Sequence, residues 1–116
     1  MQGDKDFNNL FKKEINLYSN LNSQNKYDVS VNSKYEKNII SKDSSGVATD
    51  YKLLMTTKIA INLNGKITNM EFKENINIKN NSNSFEQNNY EKNVKRNFAS
   101  SIRNKLIIKI QNINDN

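Results

Sequence analysis

Cysteine, histidine, proline and tryptophan are all absent from this chain of 116 residues. Without cysteine there is no disulfide frame, thiolate metal site or thiol nucleophile. Without histidine there is no imidazole for a catalytic triad or a zinc ion. No cofactor and no enzymatic activity are therefore expected. Long apolar runs are missing too: no stretch of 18 or more could span a bilayer, and Met1-Gln2-Gly3-Asp4 lacks the basic and then apolar opening of a secretion signal. With three glycines the chain has no glycine-rich nucleotide loop, and Asp43-Ser44-Ser45-Gly46 lacks the acidic ladder of a calcium loop. The length suits one domain over residues 1–116, burying roughly two thirds of its unfolded surface.

Charge of one sign is present in excess, a formal +6, but the basic residues are 16 Lys against two Arg, beside 24 Asn and 13 Ile. Lys, Asn and Ile share A/T-rich codons, so much of the charge reflects coding composition spread over a wet surface. A surface reading guanine or phosphate would use the bidentate fork of arginine, which is scarce here.

Phe7, Leu10, Phe11, Ile15, Tyr18 and Leu21 recur at spacings of three and four, which predicts an amphipathic helix over about 6–22. Asp6 or Asp4 is placed to cap it, and the polar stretch Asn20–Asn25, broken only by Leu21, ends it. From Tyr27 the period becomes two. Tyr27, Val29, Val31, Tyr35 and Ile39 alternate with polar residues, predicting a strand over about 27–41 with one wet face. After the turn-forming Ser41–Gly46 cluster, Thr49, Tyr51, Leu53, Met55, Thr57, Ile59, Ile61 and Leu63 define a second strand over about 48–63.

Asn64-Gly65 follows at once, the dipeptide suited to a two-residue type I′ hairpin. Such a loop pairs Leu63 with Lys66 and sets odd positions against even ones. On the third strand, about 66–79, the apolar residues Met70, Phe72, Ile76 and Ile78 are indeed even. Ile67 lies on the wrong face. Ser84-Phe85-Glu86-Gln87 has the form of a capping box and opens a second helix over about 84–111, whose stripe is Tyr90, Val94, Phe98, Ile102 and Leu106, broadened by Ser101 and Lys105. Lys92, Lys95, Arg96 and Arg103 fall on its other faces.

The order is α-β-β-β-α. One apolar face per element predicts an α+β two-layer sandwich, an antiparallel three-stranded meander with both helices on one side. The far side, with Lys34, Lys52 and Lys58, stays wet. Asp50 and Glu74 are read as partners in salt links, since no tight acidic pair stands in an apolar setting. Tyr27, Tyr35 and Tyr51 share the face of Val29, Leu53 and Ile59, which predicts packing with hydroxyls at the rim and not base stacking.

Residues 27–110 resemble the LPS-assembly lipoprotein LptE family. The likeness is carried by Tyr27-Asp28-Val29-Ser30-Val31, the loop Ser45-Gly46-Val47-Ala48-Thr49-Asp50-Tyr51, the strand Tyr51–Thr57, the Asn64-Gly65 hairpin, and Phe98-Ala99-Ser100-Ser101-Ile102 followed by Leu106. The resemblance implies a non-enzymatic lipoprotein on the periplasmic side of the outer membrane in the cell envelope. Its partners would be an LptD-like β-barrel, which it plugs and helps assemble, and lipopolysaccharide. Lys42 and Lys79 match in place the basic positions tied to lipopolysaccharide binding. Two departures stand out: the family begins with a signal, a lipidated cysteine and a strand before the first helix, whereas this chain has no cysteine and opens almost at the helix. Either the start is trimmed or the protein is something else; if that strand is missing, one sheet edge is open, and oligomerisation or partial disorder of the first helix is expected. The alternative from another class is a basic module like the double-stranded RNA-binding domain, which shares the element order. Its last helix usually opens on a lysine cluster, which Ser84–Gln87 is not, so no nucleic-acid partner is expected.

Overall fold

A computed structural model describes residues 2–21, 28–63 and 65–114, with side chains at 2–13, 29–62 and 65–112. The elements are β1 (Gln2–Gly3), α1 (Lys5–Leu21), β2 (Asp28–Lys42), β3 (Ala48–Leu63), β4 (Lys66–Lys79) and α2 (Ser84–Asn114). The sheet order follows the sequence, β1-β2-β3-β4, with β2, β3 and β4 antiparallel and β1 parallel to β2. The molecule is slender, 57 × 22 × 22 Å. The fold is the expected α+β sandwich.

The hairpin register is the one that the turn chemistry implies. Leu63 pairs with Lys66, Ile59 with Met70, Thr57 with Phe72, Leu53 with Ile76 and Tyr51 with Ile78. Gly65 adopts φ +86°, a turn conformation that costs glycine little, and its N–H donates to Asn62 Oδ1 at 3.0 Å. Asn64, Tyr27, the helix stop at residues 22–25, and the side chains of Ile15, Tyr18 and Leu21 lie outside the described residues.

Alternation on β2–β4 and the helix stripes meet in one core. Phe7 and Phe11 stack with centroids 5.4 Å apart and belong to one buried cluster with Val31, Leu53, Met55, Ile59 and Phe72 of the sheet and Val94, Phe98, Ile102 and Leu106 of α2. Each such side chain contributes about 1.5–3 kcal/mol by leaving water. Thr57 is fully buried among them, and its Oγ1 has no hydrogen-bond partner among the described residues. Tyr35 and Tyr51 pack against this core half-buried, as expected.

Four details differ from the sequence reading. The strand expected to be missing is present as the two-residue β1. Gly3, at φ +100°, lies so close to β2 that a Cβ would sit 1.7 Å from the Ser33 carbonyl oxygen. Behind it Ser33 Oγ donates to Asn8 Oδ1 at 2.5 Å, and Asn8 Nδ2 to the Gln2 carbonyl at 3.0 Å. Second, the caps: of the two aspartates offered for α1 it is Asp4 that accepts from Phe7 N at 2.9 Å, as expected, but at α2 Asn83, one residue before the expected Ser84, accepts from Glu86 N at 3.1 Å. Gln87 instead reaches back to Asn81 N at 2.9 Å. Third, Lys95, which falls off the apolar stripe of α2, is nonetheless buried, held by Asp4 and Asp6. Fourth, Ile39, Ile76 and Tyr90 lie on apolar stripes yet are 53%, 39% and 48% exposed. Ile39 stands past Lys37, where Glu91 ties β2 to α2, and Ile76 stands on the outermost strand.

Candidate functional site

Lys42 and Lys79 end β2 and β4, on either side of β3, with the loop 43–47 and the β4–α2 connection at the same end. Two strand spacings separate them, roughly 10 Å of backbone. Lys42 pairs with Ala48 and Lys79 with Asp50, and both lysines are exposed.

The framework under them is hydrogen-bonded throughout. Asp43 Oδ1 accepts from Ser45 Oγ at 2.7 Å, Ser45 N at 2.9 Å and Val47 N at 3.0 Å; the serine hydroxyl first, then the Val47 amide, hold this carboxyl below its ordinary range. Asp50 accepts from Ser41 Oγ at 2.6 Å and Thr49 Oγ1 at 2.9 Å, which lower its pKa with help from the charge of Lys79. Asn80 closes the end, its N–H on the Thr49 carbonyl at 2.8 Å and its Nδ2 on Ala48 O at 3.0 Å. Exposed apolar side chains also occur on the elements that meet this end, Ile39 and Ile40 on β2, Val47 in the loop and Phe85 in the first turn of α2, the last 72% exposed. The arrangement offers two exposed cations on a hydrogen-bonded backbone, which can meet an anionic headgroup. The exposure of Phe85 and Ile40 is not legible in the sequence, because Phe85 belongs to the helix start and Ile40 lies at a break in the alternation.

A second surface is the uncovered face of the sheet. Across it run the rows Ser30–Ala60–Asn69 and Asn32–Lys58–Glu71. The small side chains of the first row leave a groove of about 690 Å³ that Gln2 also lines. Lys34, Lys52 and Lys58 are exposed on this face as the alternation requires, and so is Ile67.

The remaining polar groups fasten the layers. Lys95 Nζ lies 3.1 Å from Asp4 Oδ1, 3.5 Å from Asp6 Oδ2 and 4.2 Å above the Tyr35 ring. Tyr35 donates to Glu91 Oε1 at 2.5 Å, while Lys37 Nζ meets Glu91 Oε2 at 2.9 Å and covers the Tyr51 ring at 4.4 Å. Burial raises the Glu91 carboxyl, but hydrogen bonds from Tyr35, Lys37 and Gln87 outweigh it and hold the group below its ordinary value. Burial, reinforced by Glu91, pushes the Tyr35 hydroxyl far up. Glu74 takes Lys105 at 2.6 Å and Ser101 at 2.5 Å, the salt link expected of it. Among the described residues no group of three acidic side chains is placed to hold a metal ion, and no helix is long and apolar enough to cross a membrane.

No family model matches the chain, and no curated protein matches it in sequence. In shape it is similar to the crystal structure of rare lipoprotein B from Shewanella oneidensis, with a TM-score of 0.69 over 98% of this chain and 99% of that one, at 14% identity. The two chains share a fold. The whole-chain likeness agrees with the α+β layering expected from the strands and helices. At 14% identity that agreement lies in backbone arrangement. Rare lipoprotein B says nothing of what Lys42 and Lys79 touch.

Proposed function

We propose that this chain is an envelope lipoprotein of the LptE type, a non-enzymatic subunit of outer-membrane lipopolysaccharide assembly that occupies the lumen of an LptD-like barrel. The observation that carries this reading is the likeness to rare lipoprotein B along nearly the full length of both chains. Shape and surface support it. A domain 22 Å across, with one sheet face left uncovered and mostly polar, suits a lumen lined by polar side chains and water. Lys42 and Lys79 supply cations for lipid phosphates, and Ile39, Ile40, Val47 and Phe85 supply contacts for acyl chains.

Affinity purification of the full natural form from detergent-solubilised envelopes tests the partner: a large outer-membrane barrel protein should co-purify. Lipopolysaccharide-coated beads test the ligand. Lys42→Ala/Lys79→Ala should weaken retention several-fold while leaving thermal unfolding unchanged. Failure to recover any barrel, together with salt-sensitive binding to duplex RNA, would overturn the proposal in favour of the nucleic-acid reading.

A further inference from the structure

The two outer edges of the sheet are treated differently. On β2, β1 pairs with Asn32 and Ser33, and further along the ladder slips between Ile39 and Lys42. Both devices blunt an edge. On β4 the ladder runs unbroken from Asp50↔Lys79 to Leu63↔Lys66. The two-residue turn fixes which groups are spent. Lys66 and each even residue after it face β3, so the N–H and C=O of every odd residue from Ile67 to Lys79 point away from the sheet. The side chains of those odd residues are all exposed on the bare face. Ile76, on the opposite face, is 39% exposed for want of a further strand beside it. Ile108 is 58% exposed on the α2 stripe of Ser101 and Lys105, which hold Glu74 of β4.

We propose that the β4 edge is a homodimer interface in which two copies of the free chain pair β4 to β4, antiparallel, with the two-fold axis through Phe72. The charges select this register. With Phe72 on the axis, Glu71 stands opposite Lys73 of the second copy, and Lys73 opposite its Glu71, both among the residues with outward-facing N–H and C=O. Centring on residue 73 would set lysine against lysine, and centring on 71 glutamate against glutamate. In the single chain Lys73 Nζ and Glu71 Oε1 lie 3.5 Å apart, at 64% and 45% side-chain exposure, so both are free to turn to a new neighbour. The same register sets Asn69 opposite Asn75 and brings Thr68 over Ile76. Pairing consumes both regular edges and leaves only the two blunted β2 edges outside, so assembly stops at a closed dimer and does not grow into a fibre. The inference concerns the free chain and does not rest on the proposed role in lipopolysaccharide assembly.

Sedimentation velocity of the chain over a range of concentrations is the test. A monomer–dimer equilibrium is expected. Lys73→Glu and Glu71→Lys should each raise the dimer dissociation constant by roughly tenfold or more, and the double exchange Glu71→Lys/Lys73→Glu should restore it. Register is read separately. The chain has no cysteine, and within one copy residues 69 and 75 are about 20 Å apart along the strand. Oxidised Asn69→Cys/Asn75→Cys should therefore migrate as a covalent dimer. A monomer at every concentration, a dimer indifferent to the single reversals, or failure of the double exchange to restore it would each overturn the proposal.

Discussion

Gly3 shows how much one backbone atom can decide. Its φ of +100° and the Ser33 oxygen 1.7 Å from where a Cβ would stand leave no room for any other residue. Gly3→Ala should detach β1 from β2 without unfolding the sheet, at a cost of about 1–3 kcal/mol. Amide exchange at Asp4, whose N–H donates to Ser33 O at 3.2 Å, would rise sharply if this is correct. Thr57 presents the reverse case, a group whose removal helps. Its hydroxyl is buried without a partner among the described residues, so Thr57→Val, which keeps the shape and the β-branch, should raise the unfolding free energy by about 1 kcal/mol in denaturant titration.

Among the elements, those with a sustained period are legible in the sequence. The β3–β4 ladder followed from Asn64-Gly65 and the parity of the apolar residues, and the ranges of β2, β3 and β4 fell within a residue of expectation. Short or polar features were not legible. β1 is two residues long and carries no pattern, and the Asn8–Ser33 pair that backs it reads in sequence as two ordinary polar residues. The burial of Lys95 is not legible in the sequence because it depends on Asp4 and Asp6, which reach it only once α1 and α2 dock. Of the candidate site, Lys42 and Lys79 rest on family position alone, whereas the exposed Val47 and Phe85 stand in a loop and a first helical turn, where no period marks a face. The α2 cap was misread by one residue because Asn83 and Ser84 are both good caps. Asn83→Ala should lower the melting temperature by a few degrees, corresponding to about 1 kcal/mol, whereas Ser84→Ala should have little effect.

For the whole molecule, acid is the condition that tests how the layers are fastened. Glu91 and Glu74 have carboxyls held below their ordinary 4.5 in the folded state, in each case because hydrogen bonds and a lysine outweigh burial. A depressed folded pKa gives stability that is fully present above the unfolded value and lost as pH falls through the folded one. Unfolding free energy should therefore hold steady from neutral pH towards 5 and decline from about 4.5 downwards, and Glu91→Gln should flatten that decline while lowering the plateau. Chemical denaturation at stepped pH would read both.

The bond from Lys95 to Asp4 joins positions 91 residues apart, in a molecule whose strands otherwise neighbour one another in the order they are written. Strand-to-strand contacts need only short loops to close, and contacts between distant positions are the last to repay the entropy of closure. The clasp between the chain's two ends thus belongs to the final step of folding. Lys95→Met should leave the refolding rate near its original value and accelerate unfolding, a split visible in the two arms of a stopped-flow chevron. On that account Lys95 sets how long the molecule stays folded, while the Asn64-Gly65 turn helps set how fast it gets there.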